Sequence, residues 1–504
     1  MDIKIGDIKL SSIEVFIVSF IILYLSVAQS LNVFDLFTYA KTLKTDFENG
    51  LGMGYVISNS FLAYGGGEVN RALLYVLITY PYMQLASNIF QLDIEFALNL
   101  FSVIAVSLSS IFVYRTALLY FSRQLSSFAA IFYVLIPYVF FSGINASILS
   151  LQLLIGAAWM YLTARAMKER DQTKIIASSL LFLVNVLVHT GVILTLFAQI
   201  YAIYKTMGSR LHARYLASAL PVALAVVYAA SIILLGSAYP YSPSIQKTVF
   251  SLLLFSWEAV NGLSIFLALA VLLSTIFVIR RLFLGSGDDF DMLFLLVLIP
   301  TFYSLTFFHY VPIFNFNAAF PFLTIIFMKR FYNSSNLVFV VVLCLVFMLM
   351  TDALLYYQFH NFPHPHKQYA EWLQDTIESG TVFVGHECSA ARLYTDLNVV
   401  CRGDENMPTD NAYFTSHYLG SENQLEFEYM QKYFRVNLRS IGSELEKENA
   451  FKDKQTMPVA VYFGPRRYME DHYQWLYSVY PDPLSSVFLP KKFMQAEYSV
   501  SKIS

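Results

Sequence analysis

Long apolar runs, broken by short charged or polar turns, fill the chain from about residue 13 to residue 357, and ordinary mixed sequence follows to residue 504. About 20 apolar residues in a helix cross a bilayer. The runs near 13–31, 94–120, 124–142, 146–165, 174–188, 191–205, 213–236, 261–283, 291–309, 316–329 and 336–357 therefore predict about eleven membrane-crossing helices. The fifth and sixth are short and share the turn His189-Thr190-Gly191, so they read as a hairpin or as one long tilted helix. The first run, Ile13 to Ser30, is long enough to persist as a helix and lacks a small-residue cleavage site, so it is not expected to be a removed signal peptide.

Charge gives the runs a direction, because cytoplasmic loops retain Lys and Arg. Every second loop is basic: Lys4 and Lys9, Arg123, Arg165/Lys168/Arg170/Lys174, Lys205/Arg210/Arg214, Arg280/Arg281 and Lys329/Arg330. The intervening loops hold only Lys41, Lys44, Arg71 and Lys247, a ratio of fourteen to four. The alternation favours the hairpin at His189 and an odd number of crossings. It predicts a cytoplasmic N-terminus and an extracytoplasmic C-terminal region, in a plasma membrane. The expected organisation is a transmembrane domain over 1–357, with a first outer loop at 32–93 carrying interfacial helices, and a soluble α/β domain over 358–504.

In the first outer loop, a helix over Asp35 to Asn49 places Leu36, Ala40, Leu43 and Phe47 on one apolar stripe. Asp35, Tyr39, Thr42 and Asp46 form a second stripe, and Lys41, Lys44 and Glu48 a third. Such a helix is expected to lie along the membrane interface. Asp35, at the outer end of the first crossing, either has a partner or a task, or caps a helix beginning at Leu36. Asp46 and Glu48 read as a solvated face, and His189 as a histidine satisfied by a backbone carbonyl.

Composition agrees with the pattern: 57% of residues are hydrophobic and 13% charged, against about 25% charged in soluble domains. A net charge of -2 without a basic stripe argues against a nucleic-acid partner. Cys344, Cys388 and Cys401 are too few and too dispersed for a zinc cage, while Cys388 and Cys401 are compatible with a disulfide in an oxidising compartment. His309 reads as His189 does, and His360, His364 and His366 lie in a Pro-containing linker with poor ligand spacing. The 17% aromatic content reads as interfacial belts rather than sugar-stacking platforms.

The order of these features resembles the GT-C superfamily of polyprenyl-phosphate-sugar glycosyltransferases, especially its protein mannosyltransferase and aminoarabinose transferase branches. The resemblance runs through most of residues 13–205. Members end their first helix with Asp-Glu, then a Tyr-Ala-containing helix and a Gly; here Phe34-Asp35-Leu36-Phe37-Thr38-Tyr39-Ala40 leads to Asn49-Gly50, with Leu36 at the glutamate position. Where members carry an acidic residue, a Lys and Pro-Pro-Leu-Tyr-Tyr, this chain has Asn70-Arg71-Ala72-Leu73-Leu74-Tyr75, with Glu68 two residues out of register for the acid. Glu95-Phe96-Ala97-Leu98-Asn99-Leu100 and Ile136-Pro137-Tyr138-Val139-Phe140-Phe141-Ser142 resemble the second helix start and third helix end. His189-Thr190-Gly191 stands where a basic residue and a Gly recur.

The resemblance implies inverting transfer of a sugar from a polyprenyl- or dolichyl-phosphate carrier to a glycan, lipid or protein acceptor at the outer face. Asp35 is the implied base, and Arg71, Lys44 and His189 are the implied contacts of the donor phosphate. Asp46, Glu48 and Glu68 are the candidate acidic contacts, to an acceptor or to a divalent cation such as Mg or Mn. Trp372 and Trp475 each stand outside the Trp-Trp-Asp signature of oligosaccharyltransferases, which favours single-sugar over en-bloc transfer. A polysaccharide polymerase or ligase normally keeps its main soluble loop between helices, whereas here it follows the last. A transporter would show inverted repeats and mid-membrane ionisable residues.

Overall fold

The computed structural model describes residues 10–28, 31, 36–56, 73–208, 213–235, 264–307, 319–331, 338–361, 365–377, 381–384, 388–401, 412–417, 451–463 and 492–503. The helices are α1 (Ser12–Leu25), α2 (Phe37–Asn49), α3 (Leu73–Asn88), α4 (Ile94–Ala117), α5 (Arg123–Val134), α6 (Pro137–Ile144), α7 (Ile148–Glu169) and α8 (Gln172–Val188). A 3-10 turn (Thr190–Thr195) leads to α9 (Leu196–Met207), α10 (Ala213–Leu235), α11 (Ile265–Phe283), α12 (Asp289–Phe307), α13 (Phe320–Phe331) and α14 (Val338–Asn361). The chain divides into two compact units: most of residues up to His360 form the first, and α2 groups with the elements after Asn361 in the second.

The first unit is arranged for an apolar solvent. Ile13, Ile17 and Ile21 of α1, Leu216, Leu220, Leu224 and Val227 of α10, and Leu269, Leu272, Leu273 and Ile276 of α11 are exposed at helical spacing. Buried positions, by contrast, are rich in Ser, Thr, Asn and Gln. Ser19 meets Ser110 at 3.0 Å, Ser102 meets Ser150 at 3.1 Å, and Thr163 meets Ser178 at 2.6 Å, joining α1 to α4, α4 to α7 and α7 to α8. Small hydroxyl residues let helices approach closely in lipid, where each such bond is worth about 0.6 kcal/mol. Among the described residues, Ile94–Ala117, Ile148–Glu169, Ala213–Ser231 and Phe266–Phe283 are long and apolar enough to cross a membrane. The chain is an integral membrane protein.

The expected crossing at 124–142 is not one straight helix. α5 and α6 are bent by 67° at the break before Pro137. Proline lacks an N–H and disfavours helical backbone in the residue before it; Ile136 accordingly lies at φ -63°, ψ 122°. At His189 the chain turns back. Ser178 donates to Gln199 Oε1 at 3.1 Å, and the pair is centred in sequence on the turn, so α8 and α9 form a hairpin.

Gln199 is also the hub of a buried network. Trp159 Nε1 donates to its Oε1 at 2.7 Å, and its Nε2 donates to Ser179 Oγ at 2.8 Å, tying α7, α8 and α9. Gln199→Leu fits an apolar environment but leaves the fully buried Trp159 indole N–H without its acceptor. It is expected to destabilise by about 2 kcal/mol in detergent unfolding, with a smaller loss for Gln199→Glu.

The second unit holds α2, α15 (Pro365–Thr376), β1 (Thr381–Val384), α16 (Cys388–Tyr394), β2 (Asn398–Cys401), β3 (Ala412–His417), β4 (Phe451–Phe463) and β5 (Lys492–Ile503). The sheet order is β2-β1-β3-β5-β4, with β1 parallel to β2 and β3, and β5 antiparallel to β3 and β4. Parallel pairing of β1 and β2 requires a crossover, which α16 supplies. Arg392 on α16 donates through Nε and a terminal nitrogen to the Val399 carbonyl at 3.2 and 3.1 Å, fixing the return into β2. Ala370, Leu373 and Ile377 bury one face of α15. The side chains of Cys388 and Cys401 lie outside the described residues, as does the disulfide they suggested.

Candidate functional site

Of the residues singled out by sequence, Asp35, Glu68 and Arg71 lie outside the described residues, as do His309, His364 and the side chain of His366. The described chain nevertheless brackets Asp35. On its N-terminal side, in the first unit, the backbone at Ala28 is clamped. Its N–H donates to the Ile144 carbonyl at 2.9 Å, and its carbonyl accepts from Asn99 Nδ2 at 2.6 Å. Asn99 Oδ1 in turn accepts from the Ala146 N–H at 2.6 Å. One fully buried amide at the start of α4 thus pins the end of the first helix to the end of α6. The bond pattern also sets which atom of the amide is nitrogen, since one partner accepts and the other donates.

On the C-terminal side, in the second unit, Leu36 is 2% exposed and serves as the N-cap of α2 without a side-chain acceptor. α2 packs against α16, and Leu36, Tyr39, Ala40, Leu43 and Asp46 are all buried. Two stripes of α2 are therefore covered, not one. That gives the apolar stripe a protein neighbour in α16. It also corrects the solvated reading of Asp46, which is 1% exposed; Glu48 is exposed and Lys44 half-buried. The helix ends at Gly50 in the left-handed region (φ 63°), whose N–H returns to the Asp46 carbonyl at 2.6 Å. The Gly at this point of the motif is thus a helix C-cap.

Asp46 and Glu48 do not fit a shared metal ion. Two residues apart on a helix, their side chains point to different sides, one covered and one exposed. Among the described residues no group of three or more His, Cys, Asp or Glu side chains is arranged to hold a metal.

His189 sits in the first unit as the residue between α8 and the 3-10 turn. Its Nδ1 accepts from the Gly191 N–H at 3.2 Å, a backbone contact made within the turn itself.

Sequence reasoning missed a charged cluster on the basic side of the bundle. Asp291, fully buried at the start of α12, pairs with Arg281 at 3.1 Å and with Lys329 at 2.8 Å. Lys329 also bonds Asp288, while Lys205 and Tyr201 reach Asp289 at 2.9 and 2.7 Å. Burial pushes the Asp288 carboxyl up, but the Lys329 ammonium, the Asp291 backbone N–H and Arg281 outweigh it and hold it below the usual carboxylate range. The sequence signal was Gly285-Ser286-Gly287-Asp288-Asp289-Phe290-Asp291, a tight acidic turn between two apolar runs, the first of which ends beside Arg280 and Arg281.

No protein-family model matches this chain, and no curated protein matches it. Among solved structures, the chain is similar to the Archaeoglobus fulgidus oligosaccharyltransferase in its apo form, with a TM-score of 0.49 and 10% identity over 90% of this chain and 73% of that one. It is similar also to the same enzyme tethered by a disulfide to an acceptor peptide containing the NVT sequon, with a TM-score of 0.48 and 9% identity over 77% of this chain. The chain spans 64% of the length of that acceptor-tethered enzyme.

Proposed function

We propose that this protein is an integral-membrane glycosyltransferase that moves a sugar from a polyprenyl- or dolichyl-phosphate carrier to an acceptor at the outer membrane face, with inversion at the anomeric carbon. The observation that carries the reading is the order of residues that leads from the first helix through Asp35 to the Gly50 cap of α2. Ala28 is clamped by Asn99 in the first unit, and Leu36 is buried at the start of α2 in the second. The same stretch carries the motif that resembles membrane transferases, down to the Gly50 cap.

In this mechanism Asp35 takes the proton of the acceptor hydroxyl, and the oxygen attacks the anomeric carbon opposite the lipid phosphate. The bond from that carbon to the phosphate oxygen breaks, and the phosphate leaves with the electron pair. Arg71 and Lys44 supply positive charge to the leaving group. His189 is a further contact of the donor phosphate, and no step is assigned to Asp46, Glu48 or a metal ion.

The test is a donor screen with the purified chain in lipid nanodiscs, using hexosyl and pentosyl polyprenyl phosphates and a membrane extract as acceptor source. Release of polyprenyl phosphate matched by a glycosylated product is expected. Absence of release across the whole panel would overturn the reading.

A further inference from the structure

Asp352 of α14 is 4% exposed, and neither Oδ1 nor Oδ2 has a hydrogen-bond partner. It continues the covered stripe Val341, Cys344 and Met348 at helical spacing, while Phe339, Val342, Val346 and Leu349 face outward. An ionisable group in an apolar helix is costly unless a partner or a task retains it. Ser264, preceding α11, is a second orphan: fully buried, with an unpartnered Oγ, and at φ 65°, a conformation that strains any residue but glycine.

The two belong to the same end of the bundle. Ion pairs gather the C-terminal end of α11 at Arg281, the start of α12 at Asp291 and the end of α13 at Lys329. The link from Phe331 to Val338 reaches about 25 Å at full extension, and Phe347 meets Phe266, about 22 Å from Arg281 along α11, so α14 runs away from that cluster. Phe266 of α11 and Phe347 of α14 meet at 4.6 Å, which fixes the axial register. Beyond that contact Ser264 is two residues on, about 3 Å, and Asp352 five residues on, about 7.5 Å. The orphan groups share a depth to within about one turn.

Resting on the transferase reading above, we propose that Asp352 and Ser264 belong to a saccharide-binding site at this end of the bundle, where Asp352 accepts hydroxyls of the sugar being transferred. A carboxylate accepts two O–H groups at once, and neighbouring hydroxyls of a sugar ring present such a pair. The Ser264 hydroxyl can donate to a ring or hydroxyl oxygen. A bound saccharide satisfies acceptors that the fold itself leaves without partners, so the cost of burying them is recovered only on binding.

The experiment compares the full-length wild type with Asp352→Leu, Asp352→Asn and Ser264→Gly, each with sugar-bearing polyprenyl phosphate and with polyprenyl phosphate alone. Thermal shift, donor KM and kcat are read. Asp352→Leu is expected to melt at or above wild type, to lose the shift caused by the sugar-bearing lipid, to keep that caused by the bare carrier, and to raise donor KM at least tenfold. Should Asp352→Leu fail to fold, Asp352→Asn and Ser264→Gly carry the same readout, with KM raised several-fold. Variants that keep the wild-type shift and KM overturn this proposal alone. A wild type shifted by neither lipid overturns the transferase reading and this site with it.

Discussion

Asp35→Asn is expected to lower sugar transfer at least 100-fold while the protein folds and inserts as wild type does. A positioned general base contributes about 100- to 10,000-fold, and an amide of the same shape cannot take the acceptor proton. Because proton transfer matters only in the transition state, kcat and kcat/KM should fall together, with donor binding unchanged. Steady-state kinetics on purified variant, beside its melting curve, decide the matter; undiminished turnover would remove Asp35 from the chemistry.

Asp291→Ala should be the most damaging single change to the membrane unit, costing about 3–5 kcal/mol. The carboxylate is fully buried and holds Arg281 at 3.1 Å and Lys329 at 2.8 Å, so its removal takes the acceptor from Arg281, leaves Lys329 with Asp288 alone, and loosens the tie of α11, α12 and α13 at one end. Denaturant unfolding in mixed micelles measures the loss, and a value under about 1 kcal/mol would contradict the clasp. Asp288 adds a pH signature. Its carboxyl is held below the usual range in the fold. Its stabilising contribution is thus complete above the ordinary carboxylate pKa and is lost as pH falls through the depressed value. Acid should weaken the wild type more than Asp288→Asn. The side chain is 44% exposed, so solvent keeps this effect modest.

Most helices of the membrane unit were legible because each follows from a long local run, whereas α3 (Leu73–Asn88) lies in the stretch read as an outer loop. The run at 213–236 becomes Ala213–Leu235, and that at 94–120 becomes Ile94–Ala117. Proline at 137 carried the kink in plain sight, although a hydropathy run passes straight over it. What escaped was long-range. Lys329 bonds residues 38 and 41 positions earlier, and Asn99 joins positions 28 and 146; no local spacing encodes such pairings. Asp46 was misread for a related reason. Its helical stripe was correctly drawn, but a stripe shows which residues share a face and not what packs over that face. The order of the motif around Asp35 was legible; its geometry lies outside the described residues.

The central claim is that a sugar leaves a lipid phosphate with inversion at this protein. The direct measurement supplies the purified chain with a polyprenyl-phosphate sugar of known anomeric configuration, isotopically labelled at the anomeric carbon, and reads the product by NMR. The expected product has the opposite configuration and appears together with free polyprenyl monophosphate, one for each linkage formed. Retained configuration, or an intact donor beside an acceptor that gains no sugar, would contradict it.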